Sequence, residues 1–293
     1  MKRGQASSTA DMTAMVRAHE HLYADGETFD DRFALALTSP GWQRVLRSRA
    51  IKTVVLDGLL RPFRGGAAVV LGRARYLEDQ LPRLAREGCA QYVVVGAGMD
   101  SFSLRRPLGL EGLRVIELDH PGTQAVKRER LSATGAHVGD NVELVAVDFE
   151  AETVADALGR SAYDATEPAV FGWMGVTYYL AEETVYATIA SMASCCAPGS
   201  ELLFDYQVPR ALAEPKSSRV LRRLDWMTAK VGEPVLAELD RQVLATRLRE
   251  MGFEVAADLS ADALDRMYFA HRESGLRVPA GMRVMHARRI GSR

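Results

Sequence analysis

Three short stretches carry the chemistry this chain could perform. In Val93-Val94-Val95-Gly96-Ala97-Gly98-Met99-Asp100 an apolar run meets Gly-x-Gly. Glycine permits a sharp turn and lets backbone come close to a ligand. A dinucleotide fingerprint needs a third glycine at position 101, but Ser101 stands there, which weakens a pyrophosphate reading. Asp100 sets a carboxylate beside the loop, and this suits a cationic ligand better. The second stretch is Val115-Ile116-Glu117-Leu118-Asp119, with Glu117 lying 19 residues beyond Gly98. An acid at that distance can accept hydrogen bonds from ribose hydroxyls. Glu117 and Asp119 are two apart, so on an extended chain both point to one side. The third is Val145-Ala146-Val147-Asp148-Phe149, an acid followed by an aromatic that could serve an adenine amino group and ring. Alone, Gly-x-Gly is equally a tight turn, and Asp148-Phe149 a strand-end turn with a core aromatic. In this order they favour a nucleoside-type ligand.

These residues need a scaffold that collects strand ends. Short β-rich runs begin at 92–95 and continue at 114–118, 142–147, 169–171, 201–206, 253–256 and 283–287, alternating with helical stretches. Apolar runs of this length bounded by turn residues predict strands covered on both faces. Their alternation with helices predicts a mainly parallel, doubly wound sheet whose carboxyl edge binds the ligand. A helix is expected over 182–197, with Val185, Ile189, Met192 and Cys196 on one stripe and Pro198-Gly199 as its stop. Residues 11–87 read as helical, with breaks at Pro40-Gly41 and Arg64-Gly65-Gly66. The stretch 208–249 reads as a helical insertion able to cover a pocket mouth. We expect a single domain over 1–293: a helical cap at 11–87, then a core at 88–293 interrupted by that insertion.

Composition narrows the partners. The chain has 293 residues, 47% hydrophobic and 26% charged, with 37 Lys+Arg against 38 Asp+Glu. No strong field favours nucleic acid or an anionic membrane, so neither is expected as a partner. No apolar run is long enough to span a bilayer, and no apolar stretch follows Lys2 and Arg3 as a secretory signal would require. Three cysteines (Cys89, Cys195, Cys196) provide no disulfide framework and fit a reducing cytoplasm. His19 and His21 flank Glu20 but do not share a helix face, so no metal site is expected.

The same residues resemble the leucine carboxyl methyltransferase family in its broad sense, which includes bacterial enzymes that methylate polyketide carboxylates. The likeness rests on the stretches 73–79 (RARYLED), 95–101 (VGAGMDS), 117–121 (ELDHP), 147–149 (VDF), 172–180 (GWMGVTYYL), 198–200 (PGS) and 204–206 (FDY). It implies a class I methyltransferase α/β fold with a seven-stranded sheet, S-adenosylmethionine as cofactor and S-adenosylhomocysteine as product. It implies that Gly96, Ala97, Gly98 and Asp100 lie against the methionine and ribose. Asp119, with Glu117, would hold the ribose hydroxyls, and Asp148 and Phe149 the adenine. Arg73 or Arg75 would bind the cofactor carboxylate, with Arg17 a second contact, and Trp173 would border the cofactor. Tyr178 and Tyr206 are candidates for the acceptor site, as is Tyr179. The phosphatase-methylating branch has a glutamate where this chain has Met174, so another carboxylate or backbone carbonyls must replace it. The acceptor expected is a carboxylate or hydroxyl of a small molecule or peptide. Two other readings stay open: a nicotinamide-dependent oxidoreductase, disfavoured by Ser101 and by the lack of Tyr-x-x-x-Lys, and a non-catalytic binder of the same cofactor.

Overall fold

A computed structural model describes residues 7–135, 138–149, 151–209, 215–230 and 232–291. Its first part is helical: α1 (Ser8–Tyr23), α2 (Ala34–Leu37), α3 (Pro40–Arg47), α4 (Arg49–Lys52) and the long α5 (Arg64–Arg86). Strands and helices then alternate: β1 (Gln91–Val95), α6 (Phe102–Arg105), β2 (Arg114–Asp119), α7 (Pro121–Thr134), β3 (Val142–Ala146), α8 (Val154–Leu158), β4 (Ala169–Trp173), α9 (Glu182–Cys195) and β5 (Glu201–Gln207). The chain finishes with α10 (Pro215–Lys230), α11 (Arg241–Glu250), β6 (Phe253–Ser260), α12 (Ala261–Tyr268) and β7 (Met282–Arg289).

All seven expected strands form one sheet, in the order β3-β2-β1-β4-β5-β7-β6. Pairing is parallel except around β7, which runs antiparallel to both neighbours. The order reverses between β1 and β4, and a crevice opens at such a switch point beyond the carboxyl ends of the strands.

Side-chain alternation divides the core. Tyr92, Val94 and Val115 face Leu77, Leu81 and Leu84 of α5 on one side. Val93, Val95, Ile116 and Leu118 face Val185, Ile189 and Met192 of α9 and Leu244 and Leu248 of α11 on the other. The α9 stripe is therefore the predicted one. Gly199, with φ +86°, turns the chain into β5.

Three boundaries differ from expectation. Pro40 does not break a helix but opens α3, because its fixed φ and missing N–H are tolerated in a first turn. Gly65 and Gly66 sit inside α5, and the break precedes them at a single turn of tight helix, Arg61–Phe63. The described part of the stretch from Val208 is not one insertion: α11 packs on β6 as a crossover helix, whereas α10 stands against the Arg61–Phe63 turn of the helical first part.

Candidate active site

β1 delivers the glycine loop. Gly96 and Gly98 adopt φ of +70° and +52°, a region that L side chains rarely enter. A Cβ on Gly96 would lie 2.6 Å from Cγ2 of Val176, so the glycine also permits contact with the segment after β4. The N–H groups of Gly96 and Ala97 both donate to the Leu118 carbonyl (2.8 and 3.0 Å), which ties the loop to the end of β2. There, Asp119 accepts from the Gly98 N–H through Oδ2 and from the His120 N–H at 2.6 Å through Oδ1. Burial pushes its pKa up, and the two amides oppose that shift. Val147 N–H donates to the Asp119 carbonyl at 2.9 Å, so Asp148 and Phe149 follow directly beside the loop.

The structure separates the two acids of β2. Glu117 is sealed from solvent and ion-paired with the equally buried Lys127 of α7. Burial raises its pKa in spite of that partner. Asp100 turns inward on its own loop, where Oδ1 accepts from the Phe102 N–H at 2.7 Å and starts α6.

A buried network braces the loop from the other side. Arg17 of α1 donates to Asp31 at 2.8 Å and to the Met99 carbonyl at 2.5 Å. Ser101, at the position of the missing third glycine, is fully buried and donates to Asp31 at 2.5 Å. Arg105 donates to Ser101 at 2.9 Å and is ion-paired with Glu78 of α5. Burial opposes ionisation of Asp31, but Arg17 and Arg105 outweigh it and hold the carboxyl below its usual range. Asp31, Arg105 and Glu78 were not among the sequence candidates. Glu78 lies within the 73–79 stretch, whereas Asp31 had no local signal.

The segment after β4 carries a second cluster. Arg73 Nη1 donates to the Tyr178 hydroxyl at 2.6 Å and to Asp205 Oδ2 at 2.7 Å. The other oxygen of Asp205 accepts from the Gly175 N–H at 2.6 Å. Asp205, on β5, is thus the carboxylate standing next to Met174. Burial works against the charge on Arg73, yet Asp205 more than offsets it and keeps the pKa above the ordinary value. Burial drives the Tyr178 phenol well above its usual pKa, despite Arg73. That tyrosine is a neutral donor and acceptor, not a base.

Three candidates lie elsewhere. Arg75 occupies the solvent face of α5 in an i,i+4 pair with Asp79, because it is two residues, about 200°, around the helix from Arg73. Trp173 points into the α9 side of the core beside Phe204. Tyr206 does the same and donates to Asp258 at 2.9 Å. Both follow the strand alternation that aims Gly172 and Asp205 the opposite way.

Between α1, α5 and α10 lies a cavity of about 470 Å³ with mainly apolar walls. Thr9, Met12, Val16, His19 and Tyr23 of α1 line it, at steps of three and four residues that make one helix face. Arg73, Tyr178 and Tyr179 line it next to the glycine loop, and Leu221 and Thr228 of α10 form the opposite wall. Thr9 and His19 are ten residues apart on α1, about 15 Å along the axis. His19 Nε2 and Ser274 Oγ are buried in this lining without a hydrogen-bond partner. Burial, then the nearby Lys52, lowers the basicity of His19. The α1 stripe was the signal that could have found His19.

The backbone cradle at Gly96 and Gly98, with the Asp119 carboxylate turned onto it, fits a nucleoside with an attached amino acid. The fold and this cradle are those of a class I S-adenosylmethionine-dependent methyltransferase. Residues 10–193 match the sequence model of the leucine carboxyl methyltransferase family. The Bacillus subtilis protein YktD, assigned to S-adenosyl-L-methionine-dependent methyl transfer by name only, is 30% identical over 217 residues, covering 74% of this chain and 71% of its own. The chain therefore belongs to the leucine carboxyl methyltransferase family. A Streptomyces coelicolor relative, SCO6443, similarly assigned, is 29% identical over 220 residues, covering 73% of this chain and 70% of its own. Among solved structures, a Thermobifida fusca protein superposes with a TM-score of 0.60 at 13% identity, over 99% of this chain and 97% of that one. A DUF574-family protein from Streptomyces avermitilis gives 0.59 at 14% identity, over 94% and 96%. At these identities the likeness is one of fold.

Proposed function

We propose that the enzyme methylates an oxygen of a small, largely apolar molecule, most naturally its carboxylate. The observation that carries this reading is the apolar cavity, which is lined by Arg73 and Tyr178 where the segment after β4 touches the glycine loop. S-adenosylmethionine supplies the reactive methyl group when bound. In our assignment Gly96, Ala97 and Gly98 offer backbone to the methionine and ribose, and Asp119 holds the ribose hydroxyls. Asp148 and Phe149 serve the adenine. Arg73 uses the donors not committed to Asp205 and Tyr178 for the cofactor carboxylate, and Arg17 acts through the Met99 carbonyl rather than by direct contact.

The protein then has to align an oxygen and exclude water. A phenol needs a base to remove its proton, whereas a carboxylate is ionised at neutral pH. The polar groups at the Arg73 end include a guanidinium held charged and two tyrosines whose pKa burial raises. None of these three is a base near neutrality, and this favours the carboxylate. His19 and Ser274, elsewhere in the lining, would meet a polar group distant from the methylated one. A small natural product of this kind suits the walls better than a peptide, whose backbone would bring unmet polar groups.

The test is calorimetry with S-adenosylhomocysteine, followed by a methyl-release assay on matched acids, phenols and alcohols with apolar bodies. Transfer to acids over their alcohol counterparts is expected. Binding of the product together with transfer only to amines, or only to proteins, would overturn the acceptor assignment and leave the family intact.

A further inference from the structure

The near-zero net charge hides a local separation. Between Pro40 and Arg64 there are six cations, Arg44, Arg47, Arg49, Lys52, Arg61 and Arg64, against the single carboxylate of Asp57. Asp57 is taken by Lys52 at 2.8 Å. All five arginines are exposed, and none has an ion-pair partner among the described residues. The same stretch exposes apolar side chains: Ile51 is 40%, Val54 70% and Leu59 74% accessible. Val54 and Leu59 belong to a wide helical turn, Thr53–Leu59, none of whose residues is buried. α10 packs beside the adjoining turn and adds Trp226, 60% accessible.

This surface is the outer side of the cavity wall. Leu56, Leu60 and Phe63 of the same stretch face inward to the cavity, as does Leu221 of α10. Arginines interleaved with Leu, Val, Ile and Trp form the mixture of a segment that lies in a membrane interface. A second copy of the chain would not answer it, because a two-fold contact sets the patch against itself and opposes five unpaired arginines to five more. Lipid phosphates can take guanidinium forks, and the headgroup boundary can take the apolar side chains and the indole.

We propose that this face docks on the surface of an anionic lipid bilayer, with the rim of the cavity against the membrane. No helix among the described residues is long and apolar enough to cross a membrane, so the contact is peripheral. The inference does not depend on which acceptor is methylated. If the acceptor is apolar, as proposed above, the arrangement also gives it a short path from the bilayer to the cavity.

The experiment is sedimentation of the full-length protein with vesicles of phosphatidylcholine alone and of a two-to-one mixture with phosphatidylglycerol. Co-sedimentation with the anionic vesicles is expected, weakening as salt is raised. Each surface cation is worth roughly a fivefold change in affinity, so Arg47→Gln with Arg49→Gln should weaken binding on the order of 25-fold. Val54→Asp with Leu59→Asp should abolish it, while S-adenosylhomocysteine binding stays unchanged and reports an intact fold. Wild-type protein left in the supernatant at low salt overturns the proposal, as does binding that neither double variant alters. Conversion of a dimer to a monomer by Val54→Asp with Leu59→Asp, without loss of vesicle binding, would assign the patch to self-association instead.

Discussion

Arg73 and Asp205, 132 residues apart, meet at 2.7 Å with both side chains almost wholly buried. The pair joins α5 to β5 and presents its second carboxylate oxygen to the backbone beside Met174. It thereby supplies a carboxylate next to the position where phosphatase-methylating relatives have a glutamate. Asp205→Ala should destabilise the fold by about 3–5 kcal/mol, because it strands a buried guanidinium. Asp205→Leu combined with Arg73→Met should cost less than the single change. Urea unfolding of the two variants checks this, and a double variant as unstable as Asp205→Ala would count against the pair.

Asp119 and Glu117 share a strand and a side, yet one faces the loop and the other lies buried on Lys127. Asp119→Ala should weaken S-adenosylhomocysteine binding by about 1.5–3 kcal/mol, the worth of hydrogen bonds to a charged acceptor. Glu117→Gln should lower thermal stability while leaving affinity near that of the wild type. Titration calorimetry and melting curves on both proteins separate the roles. Affinity lost in the Glu117 variant at unchanged stability would transfer the ribose contact to Glu117.

Asp31 makes the loop bracing pH-dependent. Its carboxyl is held below the usual range in the folded protein by Arg17 and Arg105, despite burial. A depressed folded pKa contributes stability that is complete above the unfolded value, about 3.9, and is lost as pH falls through the folded value. Asp31→Asn should therefore be less stable than the wild type near neutrality, with the gap closing below about pH 4. Urea midpoints of both proteins across that window provide the measurement. A gap that does not change with pH would mean that Asp31 contributes only hydrogen-bond geometry.

The seven strands were legible because each is a short apolar run between turn residues, and α9 because its stripe repeats at helical spacing. Gly96, Gly98 and Asp119 were readable because strand, turn and acid fall in one local order, and they come together in the structure. The spacing also placed Glu117 beside Asp119, but it could not show that Lys127, ten residues on, would claim it. Trp173 and Tyr206 look like site residues from motif position, yet strand alternation turns them into the core. Asp31 left no local signal, and Asp205 lay in the matching Phe204-Asp205-Tyr206 stretch without a sign of its role, because each acquires that role from a partner on another element, Arg17 for one and Arg73 for the other. The cap breaks were misplaced for a local reason: proline is welcome in a first helical turn, and glycine is tolerated inside a long helix packed on a sheet.

The cavity predicts a division of effects between its two ends. Val16 lines the α1 wall of the cavity, seven residues from Thr9. Val16→Trp should fill space that the acceptor needs. With an acceptor identified from the acid panel, its KM should rise by roughly 5- to 150-fold, the range that corresponds to the 1–3 kcal/mol typical of overpacking. Affinity for S-adenosylhomocysteine should change far less than KM, since of the residues assigned to that ligand only Arg73 is in the cavity lining. Steady-state kinetics and calorimetry on the same preparation report the two quantities separately. Equal loss of both would mean that the cavity is part of the cofactor site, and an unchanged KM would place the acceptor outside it.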